Sequence, residues 1–169
     1  MKTILTLFLC SLVAGCGLGP SKVAVNDPSL KPLWQAAKSF DREAYGFSPL
    51  PSNGLVSIEW RSGGAYDAMI HIYATTQRTI AFRKTSAGYC WIHEQESFQG
   101  PKEYTTVDGT FKEHIVLNYE TECVAGTDTN KLSIYYFGED PRLEPRRDLT
   151  LPDVTPILRE WGYFAKDKP

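Results

Sequence analysis

The chain has 169 residues, 42% of them hydrophobic and 22% charged, with 18 Lys and Arg against 20 Asp and Glu for a net charge of −2. Those fractions belong to a globular protein, and the length suits one domain with its own core. No basic excess is available to neutralise phosphates, which argues against nucleic acid as a partner.

The chain opens MKTILTLFLCSLVAGC. Lys2 is a positive n-region, and Ile4 to Ala14 is an uncharged apolar run. A permanent membrane helix needs ~20 apolar residues, so this shorter run fits the h-region of a secretory signal. Leu12-Val13-Ala14-Gly15-Cys16 then gives a branched apolar residue, small residues and a cysteine. This resembles the lipobox of bacterial lipoproteins. The resemblance covers the first sixteen residues and implies cleavage after Gly15, acyl chains on Cys16 and attachment to a membrane. Two or three acyl chains hold stably where one is marginal, at ~0.8 kcal/mol per buried CH2. In the enterobacterial pattern an Asp after the anchor retains a lipoprotein in the inner membrane. Gly17 stands there instead, which points to the outer membrane with the domain in the periplasm.

Of four cysteines, Cys10 leaves with the signal and Cys16 takes the lipid, so Cys90 and Cys123 remain. In an oxidising compartment such a pair is expected to form a disulfide. No CxxC is present, and a zinc site would need two further ligands.

Residues 16–31 read as a lipidated, flexible tether rich in Gly, Pro, Ser and Asn. Pro32 suits the first position of a helix. Leu33, Ala37, Phe40 and Ala44 follow at helical spacing, predicting a helix from Pro32 to Tyr45 that Gly46 stops. Phe47 to Gly54 reads as a loop. From Leu55 the period becomes two: Val56, Ile58 and Trp60; then Ala68, Ile70 and Ile72; then Ile80 and Phe82. Cys90 and Ile92 alternate with Tyr89, Trp91 and His93, and Phe111, Ile115, Leu117 and Tyr119 share a face beyond Asp108-Gly109. Leu132 to Phe137 closes the series.

Short strands separated by turn signals predict an antiparallel meander, mainly β in an α+β domain spanning 32–169, as a curved sheet or partial barrel with one short helix at each end. Asp108-Gly109 is a hairpin signal that places Val107 opposite Thr110. If Cys90 then faces Cys123, the first arm carries four extra residues, for which Phe98-Gln99-Gly100-Pro101 offers a place. The mixed-charge run after Gly138, with Arg142, Arg146 and Arg147, reads as an exposed loop. Asp153 is expected to cap a last helix carrying Val154, Ile157, Leu158 and Trp161, with Gly162 as its stop.

Three features bear on function. Met69, His71, Tyr73, Trp91 and His93 project opposite the main apolar face and could line a ligand cavity. His71, His93 and His114 lie on three strands without ligand spacing, so no metal is expected. Glu94, Glu96, Glu113, Glu120 and Glu122 crowd the central hairpin, where two carboxylates ~5–9 Å apart could serve a glycosidase. No nucleophile elbow, HExxH or phosphate-cradling loop is present. Bacterial lipocalins share the size and anchorage, but their Gly-x-Trp is missing, since Gly54 precedes Leu55 and Val56.

The expectation is a lipid-anchored envelope protein with a non-catalytic binding or assembly role, an envelope protein as partner, and no cofactor or catalytic residue. The alternatives are a carrier of a small apolar ligand and a glycan-directed hydrolase using the Glu cluster.

Overall fold

Period-two alternation places each strand beside its neighbour in sequence. A computed structural model describes residues 20–74, 76–123, 131–138 and 147–163. Gly15, Cys16, Arg142 and Arg146 lie outside the described residues. The strands are β1 (Ser21–Ala24), β2 (Leu55–Trp60), β3 (Ala68–Tyr73), β4 (Gln77–Thr85), β5 (Gly88–Thr106), β6 (Gly109–Glu120), β7 (Lys131–Phe137) and β8 (Arg147–Asp148). They form one eight-stranded antiparallel sheet in the order β1 to β8, open between its first and last strands. The domain is mainly β, and its described residues include two short α-helices, α1 (Lys31–Ala37) and α2 (Leu151–Glu160).

One sheet face is covered. Val56, Ile58, Ile70, Ile80, Phe82, Ile115, Leu117 and Ile134 join Leu30, Leu33 and Ala37 from the first helical segment and Val154 and Leu158 from α2 in one buried cluster. Fully burying a Leu or Ile side chain contributes about 1.5–3 kcal/mol, so this face supplies the main driving force.

The N-terminal segment differs from its expectation. β1 pairs with β2 from Ser21 opposite Ile58 to Ala24 opposite Leu55. A 3-10 turn at Pro28–Leu30 follows, capped by Asp27, whose carboxylate accepts from Ser29 N at 2.9 Å. The stretch from Ser21 to Lys31, read above as tether, is therefore folded. Its strand is too short for alternation to register, and it is held by main-chain pairing to β2.

The first helix is also shorter than predicted, ending at Ala37. Ser39 Oγ donates to Ala36 O at 2.7 Å, and Arg42 Nη1 donates to the carbonyls of Ala37 and Phe40. Side chains thus take carbonyls that another helical turn would have used. A separate 3-10 turn, Glu43–Tyr45, ends at Gly46 with φ 75°. At the other end, Asp153 is the fourth residue of a capping box rather than the cap itself. Thr150 precedes α2, and Asp153 accepts from Thr150 N at 3.1 Å.

The long β5–β6 hairpin carries the expected interruption with two changes. Gln99 pairs with His114 and Glu103 with Lys112, so Gly100, Pro101 and Lys102 oppose Glu113 alone. The excess is thus two residues, not four. The balance is taken at the turn, where Thr106 faces Gly109 and the two-residue loop is Val107-Asp108. Among the described residues no non-glycine has positive φ, whereas Gly109 has φ 140°. The glycine therefore sits just past the turn instead of inside it. The register that pairs His93 with Glu120, carried three places further, sets Cys90 opposite Cys123. These two are a disulfide pair with Cα atoms 6.2 Å apart.

Candidate functional site

The residue types that could carry chemistry divide between the two faces of the sheet. Glu94 and Glu96 lie on the covered face with 0% exposure. Arg78 lies opposite Glu96 across the β4–β5 ladder, and its Nε is 3.0 Å from Glu94 Oε1. Arg42 reaches in from the segment after α1, with Nη2 donating to Glu94 Oε2 at 2.7 Å and Nε to Oε1 at 3.2 Å. Trp91 Nε1 adds a third donor to Glu94 at 3.2 Å. Glu96 accepts from Ser48 N at 2.8 Å and Thr76 Oγ1 at 2.6 Å, while Arg78 Nη1 donates to the carbonyls of Ser48 and Pro49.

Two guanidiniums and two carboxylates therefore balance in charge under the helical layer. A buried ion is tolerated where partners and hydrogen bonds replace its water. Burial pushes the Glu94 carboxyl above its ordinary range, opposed by Arg78 and Arg42. Burial likewise lowers Arg42, opposed by Glu94. These contacts lock the 47–49 loop and the segment after α1 to the middle strands. Glu113, 3% exposed, accepts from Tyr136 Oη at 3.0 Å and has Lys102 Nζ at 3.6 Å. Glu120 and Glu122 are exposed, so the five glutamates do not converge.

The opposite face has no helical layer among the described residues and is the candidate binding surface. Met69, His71 and His93 are half-buried on it, and Tyr73 is 68% exposed at its end. Trp91 is not with them. Ala81 pairs with His93 but Phe82 pairs with Trp91, so Ile92 is one extra residue on β5. That bulge reverses the alternation and sends Trp91 into the core, where its ring stacks on Phe40 with centroids 4.3 Å apart. Tyr73 and Trp91 thus stand on opposite sides of the sheet and line no common cavity.

Curvature leaves an open groove of about 740 Å³ across β3 to β6. Met69, Ala81 and Ile92 line it together with Tyr66, Arg83, His93 and Glu120. His93 Nδ1 is 3.8 Å from Glu120 Oε1. Burial pulls His93 below its ordinary 6.5, partly offset by Glu120. His71 Nδ1 contacts Thr79 Oγ1 at 3.3 Å. His114 lines a second groove of about 540 Å³, and among the described residues its Nε2 has no hydrogen-bond partner. Among the described residues no three His, Cys, Asp or Glu side chains gather as a metal site.

Sequence reading did not single out Arg42 or Arg78. A signal for Arg78 exists, because it shares strand parity with Ile80 and Phe82; Arg42 carries none. Comparison with protein-family models, curated proteins and solved structures gave no match to this chain.

Proposed function

We propose that the protein is a lipid-anchored component of the bacterial cell envelope, with acyl chains on Cys16 and a β domain that binds or helps assemble an envelope partner without catalysis. The observation that carries this reading is the lipobox, Leu12 to Cys16, behind a charged n-region and a short apolar run. Gly17 in place of Asp supports the outer membrane, with the domain in the periplasm. The non-catalytic part is supported by the use of Glu94 and Glu96, whose oxygens are engaged by Arg42, Arg78, Ser48, Thr76 and Trp91. The sheet face that carries no helical layer among the described residues is the surface offered to a partner.

A second reading, carriage of a small apolar ligand, is favoured by the apolar side chains of Met69, Ala81 and Ile92 that line the groove across β3 to β6. Native mass measurement of the detergent-extracted protein separates the two, since a carrier retains a ligand mass and a partner-binding protein does not. Fractionation tests the anchor: wild type is expected to stay with the membrane pellet through high-salt and carbonate washes, and Cys16→Ser to enter the soluble fraction. Equal retention of both forms would contradict it.

A further inference from the structure

We infer that the sheet end bearing Trp60, Tyr66 and Tyr89 rests on the phospholipid headgroups of the membrane that holds Cys16. This rests on the lipid-anchor reading and adds the orientation of the domain. Because Ser21 is already paired in the sheet, only four residues, 17–20, stand between the anchor and folded structure. An extended chain covers ~3.3–3.6 Å per residue, so Ser21 stays within about 18 Å of Cys16. Ser21 pairs with Ile58, two residues from Trp60, so the rim nearest the anchor is the one formed by the β2–β3 and β4–β5 connections.

That rim has the composition of a membrane interface, where amphipathic aromatic rings and long cationic side chains sit at headgroup level. Trp60 is 37% exposed, and its ring lies 6.2 Å from that of Tyr89. Arg61 stacks over Tyr66 at 4.7 Å. Arg61, Arg83, Lys84 and Lys22 are exposed there. Of the nearby acids, Glu59 is paired with Arg61 at 2.7 Å and Asp67 accepts from Lys84 N at 2.7 Å. Glu120 and Glu122 lie further along the same end, on the β6 side. Trp34 Nε1 donates to Val25 O beyond the far end of β1, and Trp161 packs on Gly100, so neither shares this rim.

The test uses the full chain, produced in its membrane-anchored form and reconstituted into phosphatidylethanolamine–phosphatidylglycerol vesicles containing brominated phospholipid. Bromine quenches nearby tryptophan, so wild-type fluorescence is expected to fall with bromolipid content. Trp60→Phe should remove at least half of that fall, and Trp34→Phe should leave it intact. If intact mass shows acyl chains while Trp60→Phe quenches as fully as wild type, the orientation is overturned and the anchor stands. If intact mass shows no acyl chain, the anchor reading fails and this inference fails with it.

Discussion

The Arg42 guanidinium meets the Glu94 carboxylate through two hydrogen bonds, at 2.7 and 3.2 Å, across 52 residues of sequence and with both side chains buried. This pair ties the segment after α1 to the centre of the sheet. Removing one member leaves the buried cluster of Arg42, Arg78, Glu94 and Glu96 with one charge unbalanced, which costs up to roughly 3–5 kcal/mol. Arg42→Leu and Glu94→Leu are each expected to lower stability by that order in urea denaturation. Their double variant should lose less than the sum, by about 0.5–3 kcal/mol, as contacting residues do. Strict additivity would show that the pair is not coupled.

Gly100 is held by close approach. A Cβ there would meet Trp161 Cζ2 at 2.5 Å and Glu113 Cβ at 2.7 Å. Gly100→Ala is therefore expected to cost about 1–3 kcal/mol by overpacking. Adding Trp161→Ala removes the clashing ring, so the double variant should be less destabilised than the two single effects added together. Thermal melts of the four proteins check this.

The pattern of burial was only partly legible in the sequence. Alternation in β2, β3, β4 and β6 identified the core face, because Val56, Ile70, Phe82 and Leu117 each recur at period two. The placement of Trp91 was not legible, since Ile92 is an ordinary strand residue and its bulge arises from pairing with β4. The burial of Glu94 and Glu96 was missed for a related reason: glutamates on strands usually face water, and these depend on Arg42 from a distant segment. The turn was displaced by one residue because Gly109 tolerates its position after the loop as readily as within it. β1 left no periodic trace in four residues. The disulfide was legible, because the compartment implied by the first sixteen residues left only one pair to form it.

Stability should fall on mild acidification. Burial lowers His93 and His114 from their ordinary 6.5, so the folded state binds fewer protons than the unfolded chain. Their stabilising effect is present above pH ~6.5 and is lost as pH falls through the lowered native values. Denaturation midpoints measured between about pH 7.5 and 5.5 should therefore decrease for wild type. The decrease should be shallower for His93→Gln/His114→Gln, and an unchanged slope would remove these histidines from the explanation.

The bond between Cys90 and Cys123 closes the open end of the β5–β6 hairpin, 33 residues apart in sequence. Chain-entropy arguments give such a loop roughly 3–4 kcal/mol. Cys90→Ser/Cys123→Ser is expected to lose about that much, and reduction of the wild type should match it. Free-thiol titration of the unfolded, non-reduced protein should find neither cysteine reactive.

The central claim is a lipid on Cys16, and intact mass spectrometry of the mature protein from detergent-extracted membranes tests it most directly. The expected spectrum shows a chain beginning at Cys16 and heavier than its sequence by a diacylglyceryl group, with or without a third acyl chain. A mature chain of unmodified mass, or one beginning at another residue, would contradict the account.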